Sequence, residues 1–326
     1  FYSLSKVKYL CRNHFNLKTH YSVFDFNQLK QTIITIGTFD GVHLGHQSIL
    51  KKVVEAKENN TYESSLLTFF PHPRMVLQQD TSIKLLNTID EKAELLDKFG
   101  IDNLIIHPFD AAFSNLSAEE FVKEILIDRL NIHKIIIGHD HRFGKNRTAD
   151  ISDLILFGKK YGFEVEQINA HEIDEIAISS TKIRKALMEG NIQLANQFLG
   201  YSYFISGKVI DGKKIGRTLG FPTANIQINE SYKLLPKNGV YIVSSEINDI
   251  QYFGMMNIGN NPTLGENEQS IEVHYFDMSE NIYNEKLKIS ILEHIRDERK
   301  FNSLPDLQAQ LEKDKLFSLN YIQNLK

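Results

Sequence analysis

The sequence holds one cysteine, no tryptophan and only seven prolines in 326 residues. A lone Cys11 cannot form an intramolecular disulfide, and a structural zinc site would need a ligand cluster that the sequence lacks. With 18 glycines beside those prolines, a collagen-like or low-complexity chain is excluded. No run approaches the roughly 18–20 apolar residues of a membrane span, and no charged-then-apolar leader opens the chain. The first residue is Phe1 rather than Met, so a few residues are expected to precede it. Positive charge is not in excess either: 37 Lys and Arg stand against 41 Asp and Glu, which gives no electrostatic reason to expect a nucleic-acid partner. What is present is a 42% hydrophobic fraction, too high for a disordered chain. At roughly 100–200 residues per domain, the length suggests two domains, each large enough for its own core. The expectation is a soluble, cytoplasmic protein without membrane or nucleic-acid partners, either a monomer or a weak homo-oligomer.

Two rhythms divide the chain. From Thr32 to Ala170, β-rich runs (32–37, 64–70, 103–109, 134–139 and 164–170) alternate with amphipathic stretches. Four of the runs are almost continuously apolar, as suits parallel strands covered on both faces. Thr88…Glu91 and Ser117…Glu120 fit the capping box at helix starts. This alternation predicts an α/β, doubly wound parallel sheet. Helical pattern continues over 181–190 and 191–200. From Tyr203 onward, six β-rich runs follow one another with turn residues and no helix-length spacers, predicting an antiparallel sheet or small β-barrel. Residues 304–325 read as one or two closing helices. The expected division is 1–186, a helical linker at 187–200, and 201–326. Before Gln31 no motif stands out, and Phe24 and Phe26 there are expected to pack.

In the first half, Gly37-Thr-Phe39-Asp40-Gly-Val-His43-Leu-Gly45-His46 follows a strand and opens a helix. Ligands of open α/β sheets bind at such turns, where helix-start amides favour phosphate. His43 and His46, three apart, can address one anion. Ser179-Ser180-Thr181 alone reads as an N-cap for the helix beginning near Lys182. Three adjacent residues, His139-Asp140-His141, rarely converge on one metal ion.

In the second half, residues 207–214 fail as a P-loop, because Lys214 cannot supply a hydroxyl to magnesium and the context is strand and turn. Gly216-Arg217-Thr-Leu-Gly220 offers loop amides and a cation for phosphate. Thr223 and Asn225 alternate by two, so on a strand they face one way with neutral oxygens suited to Mg2+ and ATP. An ordinary turn entering a strand has the same spacing, and Glu272 by itself is the outward residue of an alternating strand.

Together these motifs resemble a known family. GTFDGVHLGH is similar to the HxGH turn of nucleotidyltransferases, in the version found in bacterial bifunctional riboflavin kinase/FAD synthetases. Thr68-Phe-Phe-Pro71-His72-Pro73-Arg74, Gly138-His-Asp140-His141-Arg-Phe-Gly144 and Ile178-Ser-Ser-Thr-Lys-Ile-Arg184 resemble that family's TFxPHPR, GxDFxFG and SSTxIR segments, with His141 where Phe is commoner. GRTLGFPTAN (216–225) looks like the flavokinase signature. Segments 235–241, 257–263, 271–277 and 295–301 resemble its further motifs.

The resemblance implies a Rossmann-like nucleotidyltransferase domain followed by a flavokinase-type antiparallel barrel with a closing helix. It implies two reactions: phosphorylation of riboflavin to FMN by ATP, and adenylylation of FMN to FAD with release of pyrophosphate, both with Mg2+. In that reading His43 and His46 act in adenylyl transfer, and Gly37, Phe39, Asp40, Gly45, Ser180, Thr181 and Arg184 hold ATP. Pro71, His72, Pro73 and Asp140 line or orient the flavin and nucleotide. In the kinase half, Glu272 is the base, Thr223 and Asn225 bind Mg2+, Gly216, Arg217 and Gly220 hold phosphates, and Asn257 and Arg296 orient the ligands. Alternatives are a chain with one active module or a non-catalytic flavin or nucleotide sensor.

Overall fold

The computed structural model describes residues 16–57, 61–77, 82–138, 141–168, 178–212, 216, 219–260 and 269–325. They form two compact units. The described parts of Phe1–Thr38, Ile49–Val76 and Ala93–Asn169 make the first; those of Phe39–Ser48, Leu77–Lys92 and Ala170–Lys326 make the second. Helices α1 (Leu44–Glu55) and α2 (Ile89–Lys98) contribute residues to both.

The first unit is built on six parallel strands: β1 (Lys18–His20), β2 (Thr32–Ile36), β3 (Glu63–Phe69), β4 (Asn103–His107), β5 (Ile132–Gly138) and β6 (Glu164–Ile168), ordered β1-β4-β3-β2-β5-β6. Every residue of β2 and β4 is buried, which is why their sequences are continuous apolar runs rather than alternations. One face packs Ile34, Leu67, Ile105 and Ile135 with Phe121 and Leu126 of the helical stretch before β5. Helix α3 (Ile151–Tyr161) begins with a reciprocal Asp150–Asp153 cap and ends at Gly162 in the left-handed region. The strand order reverses between β2 and β5, the switch point of such a sheet. In the sequence the histidine motif follows β2 and the Gly138–Gly144 motif follows β5.

The N-terminal stretch adds one element and overturns one expectation. Lys18–His20 is a strand, pairing with β4 at the sheet edge. Phe26 is buried, but Phe24 is 59% exposed, with the Arg129 guanidinium 5.0 Å over its ring.

In the second unit, β7 (Phe204–Ile210), β8 (Ala224–Gln227), β9 (Gly239–Ile247), β10 (Ile250–Asn260), β11 (Gln269–Tyr275) and β12 (Lys286–Asp297) close an antiparallel barrel in the order β10-β11-β8-β7-β12-β9. The β9–β10 hairpin turns through Asn248 and Asp249, both at positive φ, the geometry that matches strand twist. Alternate residues point inward: Val243, Met256, Ile271 and Val273 join the core with Ile183 and Leu187 of α4 (Ser180–Glu189) and Ile192 and Phe198 of α5 (Ile192–Leu199). Outside, Val240, Ile242, Met255 and Phe276 pack with Ile322 of α6 (Leu304–Gln323), a single closing helix capped by Ser303.

Candidate functional site

The histidine motif occupies the turn between β2 and α1. Its backbone is contorted: Phe39, Gly41 and Val42 have φ of 44°, 87° and 38°. Positive φ is rare for a β-branched residue such as Val42, so the surroundings must enforce it. At Gly41 a Cβ would also fall 2.6 Å from Leu86 Cδ1. The two histidine rings stack, with centroids 3.7 Å apart and planes 18° apart, and Phe39 stacks on His46 at 4.6 Å. Nδ1 of both rings is buried with no hydrogen-bond partner among the described residues. Burial lowers the His43 pKa to about 4 against the opposing pull of Asp40, and burial with neighbouring His43 and Lys92 lowers that of His46 well below its ordinary value. The pair is therefore neutral at neutral pH, each ring with one N–H to donate.

Asp40 is the hub of this turn. Its Oδ1 accepts from the amides of Leu86 (2.8 Å) and Asn87 (3.4 Å), its Oδ2 pairs with Arg184 Nη2, and its carbonyl accepts from Ser180 Oγ at 2.9 Å. Arg184 Nε donates to the Lys84 carbonyl at 2.9 Å. The structure thus brings together His43, His46, Phe39, Asp40, Ser180 and Arg184, residues drawn from two motifs about 140 positions apart. Ser179 is the N-cap of α4, so the capping reading holds for that serine while Ser180 turns to Asp40. Thr181 is exposed in the first turn of α4, and Gly45 is buried in α1. Beneath the turn lies Lys92, whose pKa burial lowers to about 8 despite Asp40.

Pro71, His72 and Pro73 belong to the first unit, where His72 Nδ1 accepts from Arg74 N at 3.1 Å and Pro73 opens a short helix. Gly37 donates its amide to the Leu67 carbonyl at the sheet end. His141 lies near-parallel to Phe143, centroids 6.1 Å apart. Asp140, Arg217 and the 261–263 part of the third kinase segment lie outside the described residues, as does Cys11.

On the barrel, pairing sets the second group. Asn257 lies opposite Glu272, and Glu272 lies opposite Asn225, so three polar side chains form a row across β10, β11 and β8. Residues paired across a sheet share a face, and here the face is the outer one, because the flanking Ile271 and Val273 are in the barrel core. Thr223 Oγ1 donates to Glu272 Oε2 at 3.1 Å. A Cβ on Gly212 would collide with the Asn225 amide at 1.9 Å, so that glycine makes room for it. Gly216 accepts the Phe221 amide at 2.8 Å, and Gly220 takes φ of 83°, shaping the loop into β8. The Thr223 hydroxyl and the Asn225 amide oxygen are hard oxygen donors of the kind Mg2+ takes. Among the described residues no group of three or more His, Cys, Asp or Glu is placed to hold a metal ion.

Arg296 has a partner the sequence did not disclose. Its Nε and Nη2 reach Asp314 Oδ2 at 3.0 and 2.8 Å, tying β12 to α6, and Asp314 is buried. The signal was present in α6: Asp314 interrupts the stripe Leu307, Leu311, Ser318, Ile322 that faces the barrel. A second unforeseen pair, Lys233 with Glu91, is buried on both sides.

The fold and these two groups define a class: a two-part nucleotide-using transferase, with an HxGH-type parallel-sheet half and a barrel half. Residues 25–182 match the family described as FAD synthetase, and residues 199–322 that described as riboflavin kinase. The bifunctional riboflavin kinase/FMN adenylyltransferase of Listeria monocytogenes is 40% identical over 284 residues, covering 86% of this chain and 90% of that protein. That of Buchnera aphidicola subsp. Schizaphis graminum is 42% identical over 285 residues, covering 86% and 91%. The crystal structure of a protein named macrolide-efflux protein, from Streptococcus pneumoniae, superposes with a TM-score of 0.83 at 30% identity, covering 94% of this chain and 99% of that one. Macrolide efflux is the name of that protein alone; among the described residues here, no helix is long and apolar enough to cross a membrane. The chain belongs to the family of bifunctional riboflavin kinase/FMN adenylyltransferases.

Proposed function

We propose that the chain makes FMN from riboflavin and ATP on its barrel, and FAD from FMN and ATP at its histidine turn. The observation that carries this reading is that the motifs of each half condense into a separate polar group: the stacked histidines with Asp40, Ser180 and Arg184 in one, and the Asn257–Glu272–Asn225 row with Thr223 in the other.

In the kinase reaction the ribityl 5′-hydroxyl attacks the γ-phosphorus of ATP and ADP leaves. That hydroxyl has a high pKa, so a carboxylate that takes its proton as the oxygen–phosphorus bond forms lowers the barrier. Glu272 fills this role, oriented by the Thr223 hydroxyl. Thr223 and Asn225 would hold Mg2+, which when bound neutralises phosphate charge. Asn257 orients the flavin or nucleotide from the neighbouring strand, and Gly216 and Gly220 let loop amides approach the phosphates. Arg296 lies on the same outer face, one strand beyond Asn257 across Val240, and acts through the position of β12, since its guanidinium is engaged by Asp314.

In adenylyl transfer an FMN phosphate oxygen attacks the α-phosphorus, and the bond to the bridging oxygen of pyrophosphate breaks. The nucleophile is already ionised, so no base is required. The protein contributes position and charge stabilisation. Neutral His43 and His46 donate N–H bonds to oxygens on which charge grows, and Arg184, fixed by Asp40, supplies positive charge. Ser180 and Thr181 flank the phosphates at the α4 start. We assign the chain to the cytoplasm, where ATP is at hand as substrate.

The test is a time course with riboflavin, ATP and MgCl2, with flavins separated chromatographically. FMN should appear first, then FAD with equimolar pyrophosphate. Failure to form FMN from riboflavin, or FAD from added FMN, contradicts the corresponding half.

A further inference from the structure

Lys233 stands in the stretch matched to riboflavin kinase, yet two of the three oxygens its amine serves belong to residues matched to FAD synthetase. The side chain is 1% exposed. Its Nζ donates to Glu91 Oε2 (2.6 Å), the Leu86 carbonyl (2.6 Å) and the Phe204 carbonyl (2.8 Å). An ammonium has three N–H donors, and these oxygens use all of them. Glu91 also accepts the Thr88 amide at 2.9 Å while Thr88 Oγ1 accepts the Glu91 amide, so the ion pair is built into the cap of α2.

Leu86 is the pivot. Its carbonyl receives Lys233, and its amide donates to Asp40 Oδ1 at 2.8 Å. Asp40 in turn pairs with Arg184 and sits within the histidine turn, three residues before His43. A continuous hydrogen-bonded path thus runs Lys233–Leu86–Asp40–Arg184, buried as far as Asp40. Backbone pairing holds the same segment independently: Leu85 donates to the Tyr232 carbonyl (2.7 Å) and Leu234 to the Leu85 carbonyl (2.8 Å). The coarse placement of residues 85–87 therefore does not require the lysine. What the lysine adds is direction, because a buried ion pair contributes little net stability compared with an apolar pair of similar volume but is demanding in geometry.

We propose that Lys233 is a positioning residue for adenylyl transfer: through Leu86 and Glu91 it fixes Asp40, and thereby Arg184 and the histidine turn, rather than serving the kinase reaction of the stretch to which it belongs. The inference rests on the division of reactions proposed above.

The experiment compares the full-length wild type, Lys233→Met and Lys233→Met/Glu91→Met. The double substitution removes both charges, so no buried carboxylate is left without its partner. Thermal melting, riboflavin phosphorylation, and kcat and KM for FMN adenylylation are measured on each. The double variant is expected to melt within a few degrees of wild type and to phosphorylate riboflavin within twofold. Its kcat for adenylylation should fall at least tenfold, with a smaller change in the KM for FMN. The single variant should show the same split with a lower melting temperature. Wild-type adenylylation by the double variant overturns the proposal and leaves the division of reactions intact, as does a parallel fall of both activities with stability. If wild type itself makes no FAD from FMN, the functional reading fails and the proposal with it.

Discussion

In the function proposed above, the histidine turn and the barrel face share one task, holding ATP beside a flavin, and meet it with opposite materials. At the turn, imidazoles are stacked and desolvated, a carboxylate is buried against a guanidinium, and the backbone is forced to positive φ at Phe39 and Val42. On the barrel, Asn257, Glu272, Asn225 and Thr223 are only half-buried, and strand register alone puts three of them in line. The lesson is one of tolerance. A site placed by register survives loss of one side chain with its neighbours in position, whereas a wired site transmits the loss of any member. The two reactions explain the contrast: the hydroxyl nucleophile needs a proton acceptor that reaches substrate, while the phosphate nucleophile needs only fixed charge and donors.

Substitutions can break this comparison or sharpen it. The largest effect belongs to Glu272→Gln, which keeps the shape but not the proton acceptor. FMN formation should fall by about 10²–10⁴-fold, the usual worth of a general base, while FAD formation from added FMN stays near wild type in the same assay. Next is His46→Ala. Loss of one donor to developing charge should lower FAD formation by about 10²–10³-fold, with riboflavin phosphorylation retained.

A third effect is read in stability. The folded-state pKa of His43, about 4, lies below its ordinary 6.5, so the unfolded chain takes up the proton first as pH falls. The stabilising contribution is complete above pH 6.5 and is lost toward pH 4, amounting to about 3 kcal/mol. Denaturant melts at pH 7 and pH 4 should therefore converge for His43→Asn by that amount relative to wild type. An equal pH dependence in both would mean that the ring is not desolvated. The smallest effect is expected for Thr223→Val, which removes one hydroxyl from the Glu272 carboxylate and the proposed ion shell. Roughly a tenfold loss of kinase activity, with a higher Mg2+ requirement in a titration, would fit a site placed by register.

Much of this architecture was legible because it is written locally. Ile33-Ile34-Thr35-Ile36 and Leu104-Ile105-Ile106 declare strands buried on both faces, and closely spaced β-runs after Tyr203 declare a barrel. Thr88 with Glu91 and Ser117 with Glu120 announced caps that form as expected. Three-residue β1, Lys-Thr-His, was not legible, because an edge strand so short and polar has no period to detect. Phe24 misled because a ring usually packs, and here it lies half outside under Arg129. The pairs Lys233–Glu91 and Arg296–Asp314 escaped for another reason. Their partners are 142 and 18 positions apart, and the local hint was only a charged residue on an otherwise apolar stripe. Of the candidate sites, the histidine pair and the Thr223/Asn225 alternation could be found by spacing. The convergence of Asp40 on Arg184 required the fold.

The central claim is that one chain carries two separable phosphorus chemistries, and labelled ATP tests it most directly. Riboflavin or FMN is incubated with Mg2+ and ATP labelled at either the γ- or the α-phosphorus, using wild type, Glu272→Gln and His46→Ala. Wild type should place γ-label in FMN and α-label in FAD. Glu272→Gln should lose the first and keep the second when FMN is supplied, and His46→Ala should do the reverse. Loss of both labels in either variant, with the protein still folded, would contradict the account.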